Sequence, residues 1–300
     1  MNCLFIGTTS KDLLMLVKDP PKSDQRIEAL RLAESCGGPA ATAAYAFAGL
    51  GGKTGLITAV GTDQNASFVQ RAAEGIAGSR LQIFTQNGGI TSFSAIQIEP
   101  EGKRCITHYG GCIGSLKTAE LDPGLLNWAE WIHLAGMKDL QMLEVAHYCR
   151  KRSHARLSVD GGNLSGEALL ALARCADSLI PDHKTVMKAL HLDAKEACER
   201  FATEGTALAC VTMGEQGLAA LWQGEFIRLP AYRVPVVDTT GAGDNFHGAL
   251  LFALSQEYPP QRALSFASAY SALTCMSLGG QTASPALRDV LQLMEGRAQF

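Results

Sequence analysis

Charge is scarce in this chain, and neither sign dominates. Of the 300 residues, 18% are charged and 47% are hydrophobic, and the formal net charge is −3. So little charge beside so much apolar content excludes a disordered protein. The lack of a basic excess argues against a nucleic-acid-binding domain, so we expect no nucleic-acid partner.

The sequence also lacks a long apolar run and any paired cysteine motif. No stretch approaches the roughly 20 apolar residues that span a bilayer, and the start, MNCLFIGTTSKD, lacks the basic segment of a signal peptide. The nine cysteines are scattered and form no CxxC pair, which argues against a disulfide framework or a zinc ribbon. We therefore expect a cytoplasmic protein that has no membrane partner.

No repeat, low-complexity tract or flexible linker divides the chain, so we expect a single domain over residues 1–300. Short apolar segments predict strands at 3–7, 54–60, 131–135, 156–160, 178–181 and 207–212. Helical patterns lie between them, at 40–50, 67–77, 139–151, 166–175, 249–255 and 262–277. This alternation predicts an α/β fold: a Rossmann-like, mainly parallel sheet with helices on both faces. Ligands of such sheets bind beyond the carboxyl ends of the strands.

Two segments break the alternation, at about 12–35 and 90–110. Residues 92–109 carry apolar side chains at alternate positions around a turn at 99–103, which is typical of a β-hairpin. A small β-sheet inserted in a parallel body is a candidate lid that excludes water during group transfer. A hairpin that merely decorates the sheet edge fits the spacing equally well.

A glycine-rich segment at 49–55 (GLGGKTG) resembles a phosphate-binding loop only superficially. A P-loop needs glycine where Phe47 stands, and a dinucleotide-binding fingerprint needs glycine where Thr54 stands. The predicted order of helix and then strand is also the reverse of both motifs. We interpret the segment as the end of a helix and the start of a strand.

The most informative segment is VVDTTGAGDNFHGA at 236–249. A β-rich stretch at 226–237 precedes it, and a helix is predicted to begin near Asn245. The small residues Gly241, Ala242 and Gly243 allow backbone N–H groups to converge on an anion at a helix N-terminus. Asp244 at the rim of that pocket could accept a proton from a hydroxyl, or could simply cap the helix.

DTTGAGDNFHGAL resembles the signature of the ribokinase (PfkB-type) carbohydrate kinase family. A second stretch, CGGPAATAAYAFAGLGGKTGLITAVG at 36–61, is similar to another block of that family, and the resemblance covers essentially the whole chain. It implies a kinase of sugars or nucleosides that uses ATP and Mg²⁺, with a Rossmann-like core and a small β-sheet lid.

The resemblance also implies roles for individual residues. Asp244 matches the catalytic base, and the anion hole matches Gly241, Ala242 and Gly243. Asp12 matches the aspartate that binds sugar hydroxyls, and the glycine pair beneath the substrate matches Gly37 and Gly38. The nucleotide-binding turn corresponds to Thr212, Gly214 and Gly217. A monovalent cation such as K⁺ would lie at Asp238 and Thr240, with further contributions from Gly279, Gly280 and Ser284.

The chain departs from the family pattern at two places. Where many members carry Asn-x-x-Glu, it has Asp182 and Thr185, so Asp182 would hold Mg²⁺ only through water. Where ribokinases carry a sugar-binding Asn, it has Thr42, which argues against ribose.

The sequence GGPAATAA, at 37–44, resembles a branch with ketose kinases and sulfofructose kinases. An anionic substituent on such a substrate would need cations, for which Arg26 and Lys138 are candidates. The plain alternative is that Arg26 is solvated and that Lys138 caps a loop.

The sequence therefore predicts an ATP-dependent sugar kinase, with an anionic ketose such as sulfofructose as one candidate substrate. The alternatives are a nucleoside kinase and a non-catalytic sugar or nucleotide sensor on the same fold. His247, one helical turn after Asp244, is expected to pack in its helix rather than to form a catalytic dyad. Family lids often pair, so we also expect a homodimer through the lid.

Overall fold

The structure, a computed structural model, describes residues 1–296. The strands are β1 (Asn2–Gly7), β2 (Ser10–Leu16), β3 (Arg31–Gly37), β4 (Lys53–Val60), β5 (Leu81–Thr85), β6 (Phe93–Ile98), β7 (Arg104–Tyr109), β8 (Trp131–Ala135), β9 (Arg156–Asp160), β10 (Ser178–Ile180), β11 (Leu208–Thr212), β12 (Leu218–Trp222) and β13 (Glu225–Leu229). The α-helices are α1 (Pro39–Gly49), α2 (Ala66–Ala77), α3 (Pro123–Trp128), α4 (Asp139–Arg152), α5 (Gly166–Ala173), α6 (His183–Leu190), α7 (Ala194–Glu204), α8 (Ala242–Ser255), α9 (Pro260–Thr274) and α10 (Leu287–Met294).

The strands form two sheets. The large sheet has nine strands in the order β13-β12-β11-β10-β9-β8-β1-β4-β5. Its strands run parallel from β11 to β5, and only β12 and β13 pair antiparallel at one edge. The mainly parallel α/β architecture predicted from the alternating pattern is thus confirmed.

Helices cover both faces of the large sheet, as predicted, because its central strands are apolar on both faces. Leu4 and Ile6 of β1 join a core layer that contains residues of α4, α5 and α7. Cys3 and Phe5, at the alternate positions, join a second layer built with α1, α8 and α9. The period of two along one strand therefore divides its side chains between two cores.

The small sheet has four strands in the order β3-β2-β6-β7. The hairpin predicted at 92–109 forms β6 and β7, joined by the expected turn. β2 and β3, in the segment 12–35, were not predicted as strands. Apolar and polar residues do not alternate along β2, because it has apolar residues on both faces: Leu13 and Met15 on one, Leu14 and Leu16 on the other.

Two boundaries near the candidate site differ from the prediction. Helix α8 begins at Ala242, and not near Asn245, because Gly241 in a left-handed conformation serves as its N-cap. The stretch at 226–237 is a strand only to Leu229, since Pro230 and Pro235 lack the N–H group that a strand needs. The segment at 49–55 is a helix end followed by β4, as interpreted.

Among residues 1–296, no helix is both long enough and apolar enough to cross a bilayer.

Candidate active site

The N-terminus of α8 is open because its preceding loop is made of small residues. Gly241 has a φ of 74°, and a Cβ atom there would lie 2.8 Å from the Cα of Gly280. Only glycine fits both the left-handed conformation and the close approach of these two chains. A Cβ on Gly243, by contrast, would meet nothing within 4 Å, so the space above this turn is free.

Of the first three backbone amides of α8, those of Gly243 and Asp244 are available to an anion. The Ala242 N–H donates to the Thr239 carbonyl at 3.2 Å, and this bond closes the turn before the helix. No group within residues 1–296 accepts a hydrogen bond from the N–H of Gly243 or Asp244. These two amides lie at the positive end of the α8 dipole, which favours an anion.

Asp244 lies in the first turn of α8 in a setting that disfavours its charge. Desolvation by burial raises the pKa of this carboxyl to about 7, and the negative charge of Asp160 adds to the rise. The positive charges of His247 and Arg104 oppose the rise, and the charge of Asp12 reinforces it. A carboxylate with a pKa near neutrality is well matched to accept a proton at physiological pH.

Asp12 lies on β2, against Gly37 of the glycine pair. It is 6% exposed, and its Oδ1 accepts a hydrogen bond from Ser10 Oγ at 2.8 Å. A Cβ on Gly37 would lie 1.9 Å from Asp12 Oδ2, and one on Gly38 would lie 2.5 Å from the Thr8 carbonyl oxygen. The missing side chains make room for this carboxylate, and burial raises its pKa.

The small sheet contributes a cation that the sequence analysis did not single out. Arg104 of β7 donates a hydrogen bond from Nη1 to Thr239 Oγ1, and that hydroxyl donates to the Gly102 carbonyl at 3.0 Å. These bonds tie the hairpin to the loop that precedes α8. Arg104 therefore brings its positive charge close enough to lower the pKa of Asp244.

The residues predicted to bind nucleotide line one small cavity of about 120 Å³. Thr212 at the end of β11 forms one side of it with Gly214 and Gly217, and Ala242 and Gly243 form the other. Its remaining walls are Leu218, Phe246, Ser268 and Ser271. The cavity thus reaches from the turn after β11 to the open N-terminus of α8.

Asp182 lies beside this turn but serves its own helix. Its Oδ1 accepts from the N–H groups of Lys184 and Thr185, and its Oδ2 accepts from Thr185 Oγ1. Both oxygens thus cap α6. In the part of the chain that the structure describes, no cluster of three or more His, Cys, Asp or Glu could hold a metal ion.

The segment predicted to hold a monovalent cation contains buried oxygen atoms, and not all of them form hydrogen bonds within residues 1–296. Asp238 is 1% exposed, and its two oxygens accept from the N–H groups of Thr240 and Gly279, each at 2.8 Å. The buried Thr240 Oγ1 has no hydrogen-bond partner among residues 1–296. A carboxylate beside an unused hydroxyl fits an oxygen-coordinated cation. Ser284 lies farther along, against Gly49 at the end of α1.

The remaining predicted substrate residues lie in different settings. Thr42 is 1% exposed, and its hydroxyl accepts from Gln281 Nε2 at 3.1 Å. Its methyl group would lie 3.2 Å from a Cβ on Gly241, so it packs beneath the anion loop. Arg26 and Lys138 are exposed, and their side chains have no partner within residues 1–296.

Two known kinases are similar to this chain over almost its whole length. A deoxyribokinase of Salmonella typhi is 23% identical over 297 residues, covering 96% of this chain and 97% of its own. An ATP-dependent ribose-1-phosphate kinase of Halopiger xanaduensis is 25% identical, covering 94% and 95%.

Solved structures share the fold over almost the whole chain. A ribokinase of Thermotoga maritima superposes with a TM-score of 0.82 at 23% identity, covering 98% of this chain and 99% of its own. A nucleoside kinase of Burkholderia thailandensis in complex with inosine superposes with a TM-score of 0.79 at 18% identity, covering 98% and 97%.

The family model described as pfkB family carbohydrate kinase matches residues 2–287. That span includes both sheets, the glycine pair at the end of β3 and the whole of α8. Together with the kinase relatives, this match confirms the resemblance seen in the two sequence blocks. The chain therefore belongs to the pfkB family of carbohydrate kinases, the ribokinase-like kinases of sugars or nucleosides.

Proposed function

We propose that this protein transfers the γ-phosphoryl group of ATP to a hydroxyl of a small sugar, with Asp244 as the general base. The observation that carries the proposal is the pKa of Asp244, about 7, at a helix N-terminus with two unused amides. Asp12, on the small sheet, faces the same space closely enough to influence that pKa. One carboxylate can thus hold the sugar while the other takes its proton.

The reaction follows from these positions. The O–H bond of the sugar breaks, and its proton passes to the Asp244 carboxylate. The freed oxygen forms a bond to the γ-phosphorus, while the bond from that phosphorus to ADP breaks and its electron pair leaves with ADP. The N–H groups of Gly243 and Asp244 donate to the transferring phosphoryl, whose charge the helix dipole also favours.

The nucleotide would occupy the cavity between the turn after β11 and α8. Thr212 and Gly214 would contact the nucleoside end, and Gly243 the phosphate end. Mg²⁺ would be held by the triphosphate and water, since the oxygens of Asp182 cap α6. K⁺ at Asp238 and Thr240 would supply positive charge beneath the anion loop. We propose that the protein acts in the cytoplasm, where ATP is available.

The lining of the small sheet favours a polar substrate. Asp12, Ser94 and His108 are aligned across β2, β6 and β7, and Ser94 Oγ lies 3.1 Å from His108 Nδ1. Arg104 lies on the same face as this row, as the strand register requires. It is therefore a better placed partner for an anionic group, such as the sulfonate of sulfofructose, than Arg26 or Lys138.

The small sheet would act as a lid on a single catalytic domain, and its outer face would pair with a second copy of the chain. Leu32 and Tyr109 lie on the face opposite Asp12 and are 63% and 56% exposed. Light scattering coupled to size-exclusion chromatography tests this pairing. A monomer at all concentrations would contradict it.

An ADP-release assay with Mg²⁺ and K⁺ tests the proposed function. Its panel contains ribose, fructose, fructose phosphates, sulfofructose and nucleosides, and the variants are Asp244→Asn and Asp289→Asn. Asp289 holds the third position of α10, as Asp244 does in α8, so its variant is a matched control. We expect Asp244→Asn to lose about 10²–10⁴-fold in turnover and Asp289→Asn to lose none.

Each other outcome has a definite meaning. Full turnover in Asp244→Asn would contradict the general-base assignment. Turnover with nucleosides alone would favour the nucleoside kinase. Calorimetric binding of sugar and ATP without any turnover would favour the sensor.

A further inference from the structure

A row of polar side chains crosses the small sheet and ends in a histidine with an unused ring nitrogen. The strand register places Asp12 of β2 opposite Ser94 of β6, and Ser94 opposite His108 of β7. Ser94 Oγ lies 3.1 Å from His108 Nδ1. In the part of the chain that the structure describes, His108 Nε2 has no hydrogen-bond partner. We call these three residues the polar row.

Solvent exposure does not account for the polar row. Asp12 and Ser94 are each only 6% exposed. The next residues toward the hairpin turn on the same face, Leu14 and Ile96, are 0% and 1% exposed and pack with Leu278. Burying polar groups among such neighbours costs free energy unless they form hydrogen bonds. The polar row therefore indicates a polar partner at this end of the face.

Hydrogen bonds connect the members of the polar row. Ser10 Oγ donates to Asp12 Oδ1 at 2.8 Å. Burial raises the pKa of Asp12, and hydrogen bonds from Ser10 and Ser94 oppose that rise. Ser94 thus lies between the Asp12 carboxyl group and the His108 ring. His108 stands on an exposed strand, and its contact with a buried hydroxyl holds the ring at the edge of the site.

Asp12 and His108 are spaced for the two ends of one sugar. Because β6 lies between β2 and β7, the backbones that carry these two residues are about 10 Å apart. Their side chains shorten that gap, and a sugar of five or six carbons carries hydroxyls along its whole length. A hydroxyl both donates and accepts, so it can bond His108 Nε2 in either tautomer of the ring.

We propose that His108 is a substrate-binding residue whose Nε2 holds a second hydroxyl of the sugar, at the end opposite the hydroxyl held by Asp12. Ser94 is the positioning residue that orients the His108 ring. The inference rests on the proposed function, in which the sugar lies between the small sheet and Asp244. It narrows the substrate class to sugars with a free hydroxyl at each of these two ends.

The test replaces His108 with two amides of different length. The Asn amide group reaches the position of Nδ1, whereas the Gln amide group reaches that of Nε2. His108→Asn should therefore keep the bond to Ser94 and bind sugar about 3–10-fold more weakly, because the hydroxyl loses its partner. His108→Gln should bind sugar within about twofold of the wild type. Ser94→Ala should weaken binding as well, since it frees the ring.

Isothermal titration calorimetry without ATP measures this binding, so no phosphoryl transfer is needed. The titrants are ribose, fructose and sulfofructose, followed by the monodeoxy analogues of each sugar that binds. The analogue that lacks the hydroxyl held by His108 should bind the wild type about 3–10-fold more weakly than its parent sugar. His108→Asn should bind that analogue and its parent equally.

His147→Asn is the matched control, because it makes the same replacement at another exposed histidine. His147 lies on α4, which packs on the face of the large sheet opposite α8. Its replacement should leave sugar binding unchanged. The inference is overturned if His147→Asn weakens binding as much as His108→Asn does.

The inference is also overturned if His108→Asn binds every sugar as tightly as the wild type, if the Asn and Gln variants bind alike, or if no deoxy analogue loses its disadvantage in His108→Asn. Sugar binding that depends on His108, without ADP release when ATP is added, would reject the proposed phosphoryl transfer and leave the inference in place. Turnover with an unchanged KM for the sugar in His108→Asn would reject the inference alone. Binding of ATP but of no sugar would overturn both.

Discussion

Lowering the pH from 8 to 6 should suppress the reaction through a single group, Asp244. With a pKa of about 7, its ionised fraction falls from about nine tenths at pH 8 to about one tenth at pH 6. Because only the carboxylate accepts a proton, kcat/KM for the sugar should fall about tenfold over that range. The direction follows from the elevated pKa: the active form is lost as the pH falls.

The assay measures initial rates of ADP release at constant ionic strength, with sugar varied and MgATP saturating. ATP binding, measured by calorimetry at the same pH values, separates the ionisation of the nucleotide from that of the enzyme. Asp289→Asn provides the matched control, since it removes a first-turn carboxylate from another helix and should keep the wild-type profile. A profile that stays flat from pH 8 to 6, with ATP binding intact, would refute the reasoning.

Three further predictions follow from the same site. Asp12→Asn should raise KM for the sugar more than it lowers kcat, because the proposed function has Asp12 bind the sugar without accepting its proton; an unchanged KM would contradict this. Gly241→Ala should destabilise the fold by about 1–3 kcal/mol, because a φ of 74° is unfavourable for a residue with a side chain. Gly243→Ala should keep the wild-type melting temperature in thermal unfolding, because a Cβ there meets no neighbour, but it should lose activity, because that Cβ enters the free space above the turn. Thr240→Val should abolish activation by K⁺ in a titration against Na⁺, and a retained K⁺ response would place that cation elsewhere.

Much of the fold could be predicted from local sequence pattern. The strands predicted at 131–135 and 156–160 match β8 and β9, since a short segment with apolar residues between two helical patterns indicates a buried strand. The helix predicted at 40–50 matches α1, which ends at Gly49, and its predicted end removed a false phosphate-binding loop. The segment 12–35 was assigned to the lid, but β2 and β3 were not predicted as strands, because apolar residues of β2 lie on both of its faces.

The cations near the site show where sequence reasoning stops. Arg26 and Lys138 were reasonable partners for an anion by their place along the chain, yet both side chains are exposed and unpaired within residues 1–296. Arg104 was overlooked because nothing local marks it: its hydrogen-bond partner, Thr239, lies 135 residues away. Charge and spacing along a chain do not reveal which surface residue a distant loop will meet.

The family, the parallel α/β body and the candidate site at Asp244 could all be predicted from the sequence, because each is marked by residues that are close together in the chain. Small residues before an aspartate make an open helix N-terminus wherever that segment folds. The electrostatic setting of that aspartate, by contrast, depends on the tertiary fold. Asp160 and Arg104 belong to β9 and β7, and the packing of the two sheets against α8 brings them close enough to influence the pKa of Asp244.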